Sequence, residues 1–149
     1  MTNDPGFILL NLRIVGLIMA ALAVLNLFVP RRFHWQEEMA RLSLLNRQIF
    51  QAHSIFLILT LAMFAALLLL RGPDLMEPTP LARAVLVGLT AFWTLRMLMQ
   101  WFFYSPEVWR GDRFKTAMHG VFSVTWVYVS AVFATALWLN LVTGSSPTP

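Results

Sequence analysis

Four apolar stretches of about twenty residues each, the length a bilayer demands, alternate with short polar segments along the chain. They run from Phe7 to Val29, interrupted by Arg13; from Ile49 to Leu70; from Ala84 to Tyr104, interrupted by Arg96; and from Ala117 to Val142. At a rise of about 1.5 Å per residue, about 20 helical residues cross a hydrocarbon core of about 30 Å, and backbone inside lipid must satisfy its own hydrogen bonds. The pattern predicts an all-α membrane protein with four transmembrane helices in a bundle, a single domain over residues 1–149. Punctuation agrees, since Pro30 follows the first stretch, Arg71-Gly72-Pro73 the second, Pro80 precedes the third, and Ser105-Pro106 ends it. Residues 143–149, rich in Ser, Pro and Thr, are expected to form a disordered tail.

The segments between the stretches set an orientation. Residues 30–48 and 105–116 fall on one side of the membrane, and the termini with residues 71–83 on the other. The first side holds Arg31, Arg32, Arg41, Arg47, Arg110, Arg113 and Lys115; the second holds Arg71, Arg83 and a snorkelling Arg13. Cytoplasmic connections carry the excess of cations. The expected location is therefore a bacterial-type inner (plasma) membrane with both termini extracytoplasmic. Ala21-Leu22-Ala23 resembles a signal-peptide cleavage site, but Met1-Thr2-Asn3-Asp4 lacks the positive region such a peptide needs, so the first stretch is read as a span. Gly16 and Ala20 make a small-xxx-small pair suited to close helix packing.

The segment from Arg32 to Leu45 has a pattern of its own. Phe33, Trp35, Met39, Leu42 and Leu45 alternate with Gln36, Glu37, Glu38 and Arg41 at near-helical spacing. It reads either as a helix lying flat at the cytoplasmic surface or as an extension of the second span. His34, beside Trp35, reads as a surface residue.

Composition sharpens the picture. Charged residues make up only 12% of the chain, whereas a soluble domain carries about 25%. The formal charge of +4 comes mostly from arginines flanking apolar stretches, where they orient a membrane chain and face anionic lipid. No basic stripe with interleaved aromatics lies outside the stretches, so nucleic acid is not an expected partner. Without cysteine there is no disulfide, thiolate nucleophile or cysteine-held metal. Membrane lipids are the expected partners, together with a homo-oligomer or a larger membrane complex, because four short spans enclose little volume of their own.

Ionisable groups inside spans are costly and point to function. All seven acids, Asp4, Glu37, Glu38, Asp74, Glu77, Glu107 and Asp112, lie in connections or tails. That argues against a transporter built on a buried carboxylate. What remains in the spans is His53, Arg96, Gln100 and His119, with Gln51, Tyr104 and Ser123 nearby. By helical rise Arg96 lies about 12 Å and Gln100 about 6 Å above the cytoplasmic end of the third span, with His53 and His119 about 5 to 9 Å from the same side. Arg96, Gln100 and Tyr104 share one helix face, and His119, Ser123, Trp126 and Ser130 another.

Three readings share this layer. In the first, the polar groups hydrogen-bond between helices and serve packing alone. In the second, Arg96, Gln100, His53, His119, Tyr104, Ser123 and Trp126 contact an amphipathic lipid or quinone, with Arg96 on an anionic group and Trp93, Trp101, Phe102, Phe103 and Trp126 as aromatic walls. In the third, His53 and His119 are axial ligands of a haem b, with Arg96 near a propionate and Gly120 leaving room for the porphyrin edge. Arg47 to Phe56 and Arg113 to Phe122 both read Arg-x5-His-x2-Phe, which suggests two repeated helical hairpins. No phosphate cradle, nucleophile elbow or zinc motif is present, so the leading expectation is a non-catalytic subunit or scaffold with a lipid- or quinone-contacting site in the cytoplasmic half of the bundle.

Overall fold

In this computed structural model, residues 4–32 and 35–144 are described, and among them there is no strand. The helices are α1 (Pro5–Arg32), α2 (Trp35–Ala40), α3 (Leu44–Met76), α4 (Pro80–Phe102) and α5 (Arg113–Gly144), with a 3-10 turn at Pro106–Val108 before α5. Four of them, α1, α3, α4 and α5, contain stretches long and apolar enough to cross a membrane. Phe33, His34 and residues 145–149 lie outside the described residues.

Several boundaries differ from those the sequence predicts. Helix α3 starts at Leu44, so residues 44–48 are helical and not part of the connection. It also runs through Arg71-Gly72-Pro73 to Met76. Pro73 lacks an N–H and crowds the carbonyl four residues back, and the helix accommodates it by a kink at Arg71 (φ −122, ψ 16) instead of stopping. Within the segment from Arg32 to Leu45, α2 is a short helix, and Leu44 and Leu45 extend the second apolar stretch as the start of α3. Helix α5 begins four residues before the apolar stretch it contains, because Asp112 caps it: Oδ1 accepts from the N–H of Phe114 (3.0 Å) and Lys115 (3.1 Å).

The chain forms two compact units. One comprises residues 12–72. In it, Leu12, Val15, Gly16, Met19 and Ala23 make the buried stripe of α1, and Leu61, Ala65, Leu68 and Gly72 that of α3, each at the three- and four-residue spacing of one helix face. Gly16 permits the close approach, for a Cβ there would lie 2.9 Å from Leu69 Cγ and 3.2 Å from Leu68 Cβ. The first half of α3 has no buried residue from Leu44 to Thr60.

The other unit contains the described residues before 12 and after 72. Thr79 accepts a hydrogen bond from Ala82 N (3.2 Å) and Pro80 opens α4, a start that uses proline where no N–H is needed. Ala82, Leu86, Leu89, Trp93 and Gln100 of α4 are buried, as are Trp126, Val129, Ser130, Val132, Phe133, Ala136, Leu139 and Asn140 of α5. The two helices run antiparallel, Gln100 near the end of α4 meeting His119 near the start of α5. The other end is fixed too: the Arg83 side chain lies against Gly144, and Asn140 Nδ2 donates to Leu75 O (3.2 Å) and Glu77 O (2.7 Å). All four long helices expose large apolar side chains, among them Leu17, Phe56, Met63, Leu70, Leu95 and Val124.

Candidate polar site on helices α4 and α5

The four-residue spacing of Arg96, Gln100 and Tyr104 puts the first two in contact. Arg96 Nη1 donates to Gln100 Oε1 at 3.2 Å. Gln100, only 6% exposed, reaches across to α5, where its Nε2 lies 2.8 Å from His119 Nδ1. A chain of three polar side chains thus links the helices without a carboxylate.

Aromatic rings surround that chain. The Arg96 guanidinium carbon sits 4.9 Å from the centroid of Trp126, near enough for cation–π attraction. Trp126 stacks on Trp93 of α4 (5.1 Å, 20°) and on Phe122 of its own helix (6.0 Å, 13°). His119 is covered by Trp109, stacked at 3.9 Å and 14°. Trp109 arrives there through the chain reversal between α4 and α5. Ser105 caps the 3-10 turn by accepting from Glu107 N (3.3 Å), Gly111 takes the left-handed conformation (φ 85), and Thr116 Oγ1 donates to Trp109 O at 2.9 Å. The Ser123 hydroxyl and Trp126 Nε1 are buried with no hydrogen-bond partner among the described residues.

The other residues named from sequence have settings of their own. Tyr104 is exposed just beyond α4, its ring edge-on to Phe103 at 5.7 Å. His53 belongs to the other unit, is exposed, and its Nδ1 lies 2.8 Å from Ile49 O of its own helix, to which it donates. The two copies of Arg-x5-His-x2-Phe therefore have different settings: Arg47 is the fourth residue of α3 and Arg113 the first of α5. Gly120 has open space beside it. Trp101, Phe102 and Phe103 are exposed, and Trp101 with Ser123, Val124, Val127 and Tyr128 lines an open apolar groove of about 460 Å³.

Three contributors were not anticipated from sequence. Trp109 sits ten positions before His119 in a connection, a separation that signals nothing until the chain turns. Asn140 and the pair Tyr128–Asn11, whose hydroxyl donates to Oδ1 at 2.7 Å, are isolated polar residues in apolar stretches. Their only signal was being polar there. Among the described residues no group of three or more His, Asp or Glu is placed to hold a metal ion. Compared with protein-family profiles, curated proteins and solved structures, the chain matches none of them.

Proposed function

We propose that the protein is an integral membrane scaffold or complex subunit that retains an amphipathic small molecule, a lipid or a quinone, at Arg96. The four long helices span the bilayer as a bundle, with both termini extracytoplasmic in a bacterial-type inner (plasma) membrane, so that the site faces the cytoplasmic leaflet. Apolar side chains exposed on every long helix support the lipid setting, since a water-soluble chain seldom leaves such surfaces uncovered. Lipids are its first partners, and a second copy or a larger complex covers part of those faces.

One observation carries the reading. Arg96 lies inside an apolar helix, stacked on Trp126, and its hydrogen bond within the described residues goes to a neutral amide. A guanidinium has five N–H donors in a planar fork matched to phosphate or carboxylate. The remaining donors suit the polar end of a bound molecule. The groups assembled around it include no nucleophile paired with a base, which is why a binding role is preferred to catalysis.

The experiment is retention. After purification in mild detergent, mass spectrometry of co-purified lipids and quinones from Arg96→Leu, His53→Leu and the unmodified protein is expected to show a bound species lost in the arginine variant and kept in the histidine variant. Equal retention by Arg96→Leu removes the proposal. A reduced-minus-oxidised haem band abolished by both His53→Ala and His119→Ala replaces it with the bis-histidine haem reading.

A further inference from the structure

From the direction of the hydrogen bonds at this site we infer that the group it holds is an oxyanion, a phosphate or a carboxylate, contacted by Trp126 and Ser123 as well as by Arg96. The inference rests on the reading of Arg96 as the point of retention and specifies the chemistry of what is retained.

Arginine only donates. The Gln100 atom 3.2 Å from Arg96 Nη1 is accordingly the amide oxygen. That leaves the amide NH2 facing His119 Nδ1 at 2.8 Å, and it donates there. His119 Nδ1 must then accept through its lone pair, so the imidazole is the neutral tautomer with its hydrogen on Nε2. The lone pair of His119 Nδ1 is consumed within the chain of three, and Gln100 Oε1 spends one of its two lone pairs on Arg96. What the chain offers outward is dominated by donors: the rest of the guanidinium fork and the Nε2–H of His119.

Trp126 and Ser123 extend the same set. Trp126 is 5% exposed and its Nε1–H is buried without an acceptor, while its ring lies 4.9 Å from the guanidinium carbon. Ser123 precedes it by three residues, on the same side of α5. Hydroxyls inside helices commonly bond back to the carbonyl four residues earlier, as Thr90, Thr125, Thr135, Thr143 and Ser54 do here. Ser123 does not: its buried Oγ has no partner. A positive fork, an indole N–H and an uncommitted hydroxyl together call for a group that is negative and rich in acceptors. An ammonium headgroup would set donor against donor and cation against cation, and a quinol hydroxyl, which can accept, brings no negative charge to balance the guanidinium. A neutral quinone would accept hydrogen bonds but leave the guanidinium charge uncompensated in an apolar setting.

The test uses the full-length protein in a neutral detergent, titrated with phosphatidylglycerol, sodium oleate or a decyl-substituted benzoquinone and followed by thermal unfolding and tryptophan emission. Phosphatidylglycerol, oleate or both are expected to stabilise the protein and shift its emission, and the quinone is not. A response to phosphatidylglycerol alone identifies a lipid headgroup as the source of the oxyanion; a response to oleate alone identifies a free carboxylate. Trp126→Phe, which keeps the stacked ring and removes the N–H, is expected to weaken the anion about tenfold, the scale of one charge-assisted hydrogen bond. Ser123→Ala supplies an independent variant should Trp126→Phe unfold, and is expected to weaken the same probe. Gln100→Glu, which sets a carboxylate against Arg96, is expected to abolish the response.

Stabilisation by the quinone and not by the anions, lost in Arg96→Leu, overturns this inference while leaving retention at Arg96 intact. Unchanged anion affinity in both Trp126→Phe and Ser123→Ala removes these two residues from the site. No response to any probe, with unaltered co-purification in Arg96→Leu, defeats the proposed function itself.

Discussion

Asn140 shows how a single polar side chain earns a place in an apolar helix. It is fully buried, and its amide donates to the carbonyls of Leu75 and Glu77, at and just past the end of α3. Leu75 O lies where no following turn bonds it, and leaving such a carbonyl buried and unpaired costs about 1 to 3 kcal/mol, whereas Glu77 O also accepts from the N–H of Thr79 at 2.7 Å. Asn140→Ala is therefore expected to lower stability by about that amount and to shift thermal unfolding in detergent downward. An unchanged midpoint would mean that Leu75 O does not depend on Asn140. This role was illegible beforehand, because it follows from where α3 ends, and α3 ends three residues past a proline that looked like its terminus. Arg96, Gln100 and His119 were legible for the opposite reason: a four-residue spacing and a common depth are properties of the sequence alone. Depth fixes height along a helix but not direction around it or the neighbour met there. His53, which counting puts at the same height as His119, donates to Ile49 O of its own helix, in the unit of residues 12–72.

At the scale of an element, the start of α5 depends on one carboxylate. Asp112 receives the N–H of Lys115 and of Phe114, and the hydrogen bond from the Lys115 backbone, more than any other influence, holds its pKa below the ordinary carboxylate value. The Lys115 ammonium, 3.6 Å from Oδ2 on the exposed surface, works in the same direction. A carboxyl group whose pKa is lower folded than unfolded lends stability above the unfolded pKa, and that stability is lost as pH falls through the lowered folded value. Amide hydrogen exchange at Phe114 and Lys115 should therefore be slow at neutral pH and lose protection on acidification below the usual carboxylate range, after correction for the intrinsic rate. Asp112→Asn keeps a side-chain acceptor without the charge, so its protection should show no such acid-dependent step. A step of equal size in the variant would assign it to another group. The cap explains why α5 begins before its apolar stretch: hydropathy locates where a helix is greasy, whereas the first turn is set by which residue accepts the loose N–H groups. The same distinction applies to α3, whose polar residues Asn46, Arg47 and Gln48 precede the apolar stretch yet are helical.

For the whole molecule, the four long helices were readable because length and apolarity are sums over many residues, and small errors at the ends leave the sums intact. Division into two units was not, since it depends on which buried stripes meet, and every apolar stretch offers one. Orientation is the remaining large-scale consequence of the membrane reading, and it decides which leaflet would supply the proposed ligand of Arg96. In the proposed orientation seven cations, Arg31, Arg32, Arg41, Arg47, Arg110, Arg113 and Lys115, are assigned to the cytoplasmic side, against Arg13, Arg71 and Arg83 on the other. Moving that first group across a membrane against the potential is what the cation bias resists. The chain has no cysteine, so one introduced thiol reports its side without background. Glu107→Cys, in the connection before α5, should react with a membrane-impermeant maleimide only after the cells are opened. Glu77→Cys, between α3 and α4, should react in intact cells stripped of their outer layers. The reverse pattern would put Gln100 and His119 toward the outer leaflet, and the anionic lipid of the cytoplasmic face would then be unable to reach the guanidinium from that side.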